Sequence, residues 1–132
     1  MKTRFAVLAA FVWSGAFTAA GQEIEVTAWG NVAGNAASKS VTLNIGASTI
    51  NTGTATGSGF TWLLQGTYIN MGATAQNYLL SGFGSGTAPL ALKSGTDSVA
   101  ITGTFNTTLV VTDASAASSD LSVLGFTVEF FR

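Results

Sequence analysis

Short runs of alternating apolar and polar residues, separated by glycine-rich turns, recur along most of this chain. In residues 41–45 (VTLNI) and 60–64 (FTWLL), apolar side chains recur at every second position, which is the period of a half-buried β-strand. Segments such as 82–86 (GFGSG) carry the residues that favour tight turns. About seven such strands predict an all-β fold, a β-sandwich. Helix is compatible with the pattern only locally, around residues 73–80 or 114–121.

The first 21 residues have the pattern of an export signal. Lys2 and Arg4 supply a positive start, residues 5–12 form a short apolar run, and small residues before Gln22 offer a cleavage site. The apolar run is too short to span a bilayer, which takes about 20 residues. We therefore predict that residues 1–21 are a signal peptide, that cleavage leaves Gln22 first, and that the secreted product has no integral membrane segment. Cleavage one residue earlier is the alternative.

The chain has no histidine and no cysteine. Their absence excludes Ser-His-Asp and Cys-His catalysis, thiolate zinc sites and disulfides. The remaining carboxylates, among them Glu23, Glu25 and Asp97, lie at the expected terminus or in loop-like segments, as solvated surface acids do. We predict that the protein is not an enzyme and takes no cofactor or metal.

Charged residues make up only 8% of the chain, about a third of the usual share. Removal of residues 1–21 leaves three basic and six acidic side chains, a net charge of −3. Such a surface cannot neutralise a run of phosphates, so nucleic-acid binding is not expected. Low charge and apolar strand edges together favour an assembled state over a soluble monomer.

The segment 22–32, which follows the predicted signal, has its apolar residues on one face. These positions are Ile24, Val26, Ala28 and Val32, with Gly30 in register between them. One interpretation is a strand of the subunit's own sandwich. The other is a donor strand that completes the sheet of the next subunit through main-chain hydrogen bonds and alternate side chains. Trp29 points to the opposite face, so we expect it to be exposed or to contact a neighbouring subunit.

The run Ile24-x-Val26-Thr27-Ala28, directly after a signal peptide in a small cysteine-free, Thr/Ser/Gly-rich chain, resembles the start of the alternate chaperone–usher pilins. These are fimbrial subunits of the colonisation-factor and common-pilus type. The resemblance implies an incomplete immunoglobulin-like β-sandwich, completed by the N-terminal extension of a neighbouring subunit. It implies a signal peptide at 1–21, a donor extension at 22–33 and a sandwich at 34–132. It also implies self-polymerisation with a periplasmic chaperone and an outer-membrane usher.

The C-terminal strand carries apolar residues at alternate positions, Phe126, Val128 and Phe130. It fits a strand presented to a chaperone and equally an ordinary core strand that closes the sandwich. The penultimate aromatic expected from the resemblance would be Phe131, which is out of phase with that apolar face.

The function predicted from these features is a structural, pilin-like subunit of an extracellular, cell-surface filament, with a role in adhesion or biofilm. The alternative is a secreted monomeric carbohydrate-binding module, which would stack sugars on Trp29, Trp62, Tyr68 or Tyr78. Trp62 is also expected in the core, because it alternates with apolar neighbours. Asn106 begins a three-residue N-glycosylation pattern.

Overall fold

The computed structural model describes residues 4–12, 19–32, 38–45, 48–51, 55–56, 59–72, 75–84, 91–98, 105–113 and 121–131. These ranges contain β-strands and no helix, so the predicted all-β fold is confirmed. The strands are β1 (Arg4–Val12), β2 (Glu23–Val32), β3 (Ser38–Ile45), β4 (Ser48–Asn51), β5 (Ala55–Thr56), β6 (Phe60–Gly72), β7 (Ala75–Gly84), β8 (Ala91–Asp97), β9 (Phe105–Asp113) and β10 (Leu121–Phe131).

The strands form two antiparallel sheets. The first sheet has the order β1-β9-β3-β4, with β5 also paired to β3, and the second has the order β10-β2-β6-β7-β8. The sheets face each other, since β4 contacts β7 and β8, and β3 contacts β6. This arrangement is a β-sandwich with its core between the two sheets.

The core consists of every second side chain from the facing strands, as the alternation in the sequence predicts. Full burial of one large apolar side chain, relative to leaving it exposed, contributes about 1.5–3 kcal/mol to the stability of the fold. The buried apolar residues are Ile24, Val26, Ala28, Val32, Val41, Leu43, Ile45, Trp62, Leu64, Tyr68, Leu80 and Leu109.

The local helix that the pattern allowed around residues 73–80 does not form at residues 75–80. From residue 75 onward this segment is strand β7, in which Gln76 and Leu80 are buried while Leu79 is exposed. Burial at every second position is typical of a strand. The sequence hides this period because the inward-facing residue Gln76 is polar. Residues 114–120, from the other segment where the pattern allowed helix, lie outside the described residues.

Strand β1 lies within the segment predicted to be the signal peptide. Arg4–Val12 pairs with β9 along nine consecutive register positions and forms one edge of the first sheet. Cleavage of the signal remains a prediction, and it would leave β9 without this partner. Within the described part of the chain, no helix is long and apolar enough to cross a bilayer.

Close packing around β2 and β6 depends on two glycines. A Cβ at Gly66 would overlap Ile45 of the opposite sheet and lie 2.6 Å from Cδ2 of Leu80. A Cβ at Gly30 would overlap the Ser122 carbonyl oxygen and lie 2.6 Å from Cζ2 of Trp62. A side chain at either position would therefore force strands or core residues apart.

We expect Gly30→Ala to lower the free energy of unfolding by about 1–3 kcal/mol, since overpacking in a filled core costs this much. Urea denaturation of the full chain measures the change. Asn31→Ala, one residue further on the outer face, is the matched control and should shift stability by less than about 0.5 kcal/mol. Equal effects of the two substitutions would contradict the packing described for Gly30.

Candidate assembly surface

Strand β2 lies inside its own sheet, between β10 and β6. It is in register with β10 from Glu23 to Val32 apart from a bulge, and with β6 over the same ten residues. The predicted donor positions Ile24, Val26, Ala28, Gly30 and Val32 are all buried on the inner face. In this single chain the strand therefore completes its own sandwich, as the structural interpretation expects. Donation to a second subunit stays a prediction.

Backbone hydrogen bonds fasten both ends of β2 to the segment that contains β6. The Gly21 N–H donates to the Asn70 carbonyl oxygen at 2.7 Å, and the Asn70 N–H donates to the Gln22 carbonyl oxygen at 2.9 Å. At the other end, the Gly59 N–H donates to the Val32 carbonyl oxygen at 2.9 Å. These bonds hold β2 in one register over its whole length.

Trp29 lies on the outer face of β2, as predicted, and is 38% exposed. Its ring packs over Gly125 of β10, where a Cβ would be 2.5 Å from Cε2 of the indole and closer still to other ring atoms. The register of β10 against β2 shifts between Val123 and Gly125. Trp29 therefore presents one flat aromatic face beside the free edge of the second sheet.

Strand β10 forms that edge and carries several exposed apolar side chains. Register places Phe126, Val128 and Phe130 opposite Ala28, Val26 and Ile24, so they share the inner face with the core. Phe126 and Val128 are partly buried against the core, whereas Phe130 is 43% exposed. Other large exposed apolar side chains on this strand are Leu124 and Phe131. The predicted C-terminal residues thus lie together along an incompletely covered edge.

The aromatic residues considered for sugar stacking are not gathered at one surface. Trp62 and Tyr68 are buried, and Tyr78 is half-buried. Trp62 therefore belongs to the core, as its alternation predicts. Its indole nitrogen has no hydrogen-bond partner within the described residues. Of these four rings, Trp29 alone is exposed enough to offer a stacking face.

The carboxylates considered for catalysis are also separated. Glu23 and Glu25 lie on the outer face of β2. Asp97, expected in a loop, ends strand β8 instead and accepts a hydrogen bond of 2.5 Å from the Tyr68 hydroxyl. In the described ranges, no group of three or more histidine, cysteine, aspartate or glutamate residues could hold a metal ion.

A row of polar residues that the sequence pattern did not predict crosses β6, β7 and β8 of the second sheet. The register aligns Asn70, Gln76 and Asp97 across β6, β7 and β8, and Asn70 and Gln76 are fully buried. In the adjacent row, the Tyr68 and Tyr78 rings stack with centroids 6.3 Å apart. The sequence signal is that Tyr68 and Asn70 continue the inward phase of Leu64, although they are polar.

Comparison with known proteins does not assign the chain to a family. No protein-family model, curated protein or solved structure matches the chain. The functional argument therefore depends on the strands and surfaces described above.

Tyr68→Phe should lower the free energy of unfolding by about 1–3 kcal/mol, because it removes a hydrogen bond to a carboxylate that is partly buried. Urea denaturation at neutral pH measures the loss. Tyr78→Phe is the control, since the Tyr78 hydroxyl packs over Gly95, and we expect a smaller effect there. A loss at Tyr68 no greater than at Tyr78 would contradict the role assigned to the Tyr68–Asp97 hydrogen bond.

Proposed function

We propose that this protein is a structural, pilin-like subunit of an extracellular filament, in which β2 of one subunit completes the second sheet of the next. One observation carries the proposal. After the predicted loss of residues 1–21, β2 is the N-terminal segment of the chain, yet it occupies a central position between β10 and β6. A terminal strand can leave its sheet without unthreading the rest of the fold, and it then leaves a groove with two strand edges.

The groove between β6 and β10 favours a strand with the sequence of β2. Inward apolar residues fill the core at positions 24, 26 and 28, and only glycine fits at position 30, against Trp62 and Ser122. A shift of one residue would turn every apolar side chain outward. A second copy of the chain offers the same strand in the same register, so exchange between subunits conserves these contacts and links the subunits.

Surface properties support assembly over a freely soluble monomer. The chain has few charges, and the exposed apolar residues of β10 lie along a free sheet edge, which is a known site of intermolecular pairing. We assign Trp29 as a subunit contact because a partly exposed indole beside that edge is a typical interface anchor. Adhesion or biofilm formation is the role we propose for the filament. The resemblance to pilins implies that a periplasmic chaperone and an outer-membrane usher assist the assembly.

The second candidate is carbohydrate binding at the cell exterior by a monomer. It is favoured by the partly exposed indole ring of Trp29, which packs against Gly125. This candidate needs no exchange of β2 and predicts ligand-dependent stability instead.

Electron microscopy of the secreted protein beside a version lacking residues 22–32 tests the proposal. We expect filaments from the complete protein and none from the shortened one. If the shortened chain does not fold alone, addition of a synthetic 22–32 peptide should restore the fold, because the peptide fills the groove. Soluble, well-folded monomers in both preparations would refute assembly through β2.

A cysteine pair distinguishes a strand held within one chain from a strand donated to another, because the natural chain has no cysteine. Thr27 and Gln65 are register partners between β2 and β6. In oxidised filaments, Thr27→Cys with Gln65→Cys should give a ladder of linked subunits on a denaturing gel. The control pair Thr67→Cys with Leu79→Cys joins β6 to β7 and should give only single-chain bands. Single-chain bands from both pairs would contradict donation.

Trp29→Ala should raise the concentration needed for filament formation at least fivefold, equivalent to the loss of about 1 kcal/mol or more at an interface anchor. Pelleting assays over a range of concentrations measure this threshold. Leu92→Ala is the control, because Leu92 is an exposed apolar residue on β8, at the opposite edge of the sheet. An unchanged threshold together with lost glycan binding would favour the second candidate.

A further inference from the structure

One edge strand of each sheet, β1 in the first and β10 in the second, lies on the same side of the sandwich. β4 contacts β7 and β3 contacts β6. Because the first sheet continues from β3 to β9 and β1, and the second continues from β6 to β2 and β10, β9 lies toward β2 and β1 toward β10. The strand order therefore puts the edge formed by β1 and the edge formed by β10 on the same side of the sandwich.

Loss of the predicted signal peptide would open this side of the molecule. Without Arg4–Val12, β9 loses all nine of its register partners in β1, and the second sheet extends one strand further than the first. The inner side of β10 then faces the vacated position, with Phe126 and Val128 partly buried and Phe130 exposed even while β1 is present. We call the free edge of β9 together with this inner side of β10 the β9 notch.

Among the described strands, the sheet edges at β4 and β8 are better protected against pairing than β9 and β10 are. β4 is only four residues long. β8 carries Lys93 and Gly95, and its side chains are largely exposed. β9 and β10 have nine and eleven residues and contain neither lysine nor proline, and a single bulge near Leu124 is the one irregularity in β10. Short length, lysine and bulges are the usual means of blocking edge pairing.

We propose that the β9 notch binds strand β10 of a second copy of this chain. Strand β1 shows what the notch accepts, a largely apolar strand of nine residues that pairs antiparallel with β9. β10 of a second copy is also an edge strand, and its alternate apolar residues lie on the face that points to the core. Since each copy carries a notch and a projecting β10 on one side, two copies fill each other's notch and form a closed, two-fold dimer.

The inference depends on the proposed function only in the removal of residues 1–21, and it is independent of exchange of β2. The Thr27→Cys, Gln65→Cys pair, oxidised within one chain, fixes β2 in its own sheet and so prevents exchange. The locked protein therefore tests the β9 notch alone. If exchange of β2 is wrong, this test is unaffected.

The first test is the oligomeric state of the locked protein by analytical ultracentrifugation, with the signal retained and after its removal. We expect a monomer with β1 in place and a dimer without it. Leu124→Lys, an exposed position on β10, should weaken the dimer at least tenfold. Leu92→Lys, exposed on β8, is the matched control and should leave it unchanged. A monomeric processed protein, or equal effects of the two lysines, overturns the proposal.

Disulfide formation between differently tagged single-cysteine chains identifies the occupant of the notch. Thr108→Cys and Val110→Cys on the outer face of β9 are combined in turn with Thr127→Cys and Glu129→Cys on β10. We expect at least one of these pairs to link two chains, since the four cover adjacent registers. Linkage of β9 to Thr27→Cys alone would instead identify β2 of the second copy as the occupant and refute the assignment of β10.

Discussion

The fit of β2 between β10 and β6 is the constraint on which the rest of the structure depends. This strand pairs with β10 on one side and with β6, the longest of the described strands, on the other. Its inner residues fill the middle of the core, and Gly30 lets the Trp62 ring and the β10 backbone approach it closely. Any change that displaces β2 therefore divides the second sheet into two parts, and the surfaces described at β10 and Trp29 exist only while it is in place.

Much of this arrangement could be predicted from local pattern. Alternation alone placed Ile24, Val26 and Ala28 on one face and Trp29 on the opposite face, because successive side chains on a strand point to opposite sides. It also separated Trp62 from the exposed aromatics. A period of two residues determines only which face of the strand each side chain lies on.

Neighbours across the sheet could not be predicted in the same way, because register depends on pairing between distant segments. The hydrogen bond from Tyr68 to Asp97 joins residues 29 positions apart, and nothing local to either residue indicates it. Polar residues that point inward, such as Gln76 and the buried Lys39, contradict the usual hydropathy rule and hide the strand period. The apolar run at residues 5–12 satisfies the pattern of an export signal and that of a strand, so the sequence alone does not determine which structure it adopts in the complete chain.

The pairing of β2 with β10 also has a consequence for folding kinetics. The Thr127 hydroxyl donates to the Thr27 carbonyl oxygen, a contact that spans 100 positions of the chain. Closing so large a loop costs entropy before the contact offsets it, and proteins dominated by such pairings fold slowly. During synthesis, β2 is made about 90 residues before β10, and until β10 appears β2 has one unpaired edge and incompletely covered apolar side chains. The central strand β2 is therefore made well before its partner β10. In the time between, its unpaired edge and apolar side chains are most open to association with other chains.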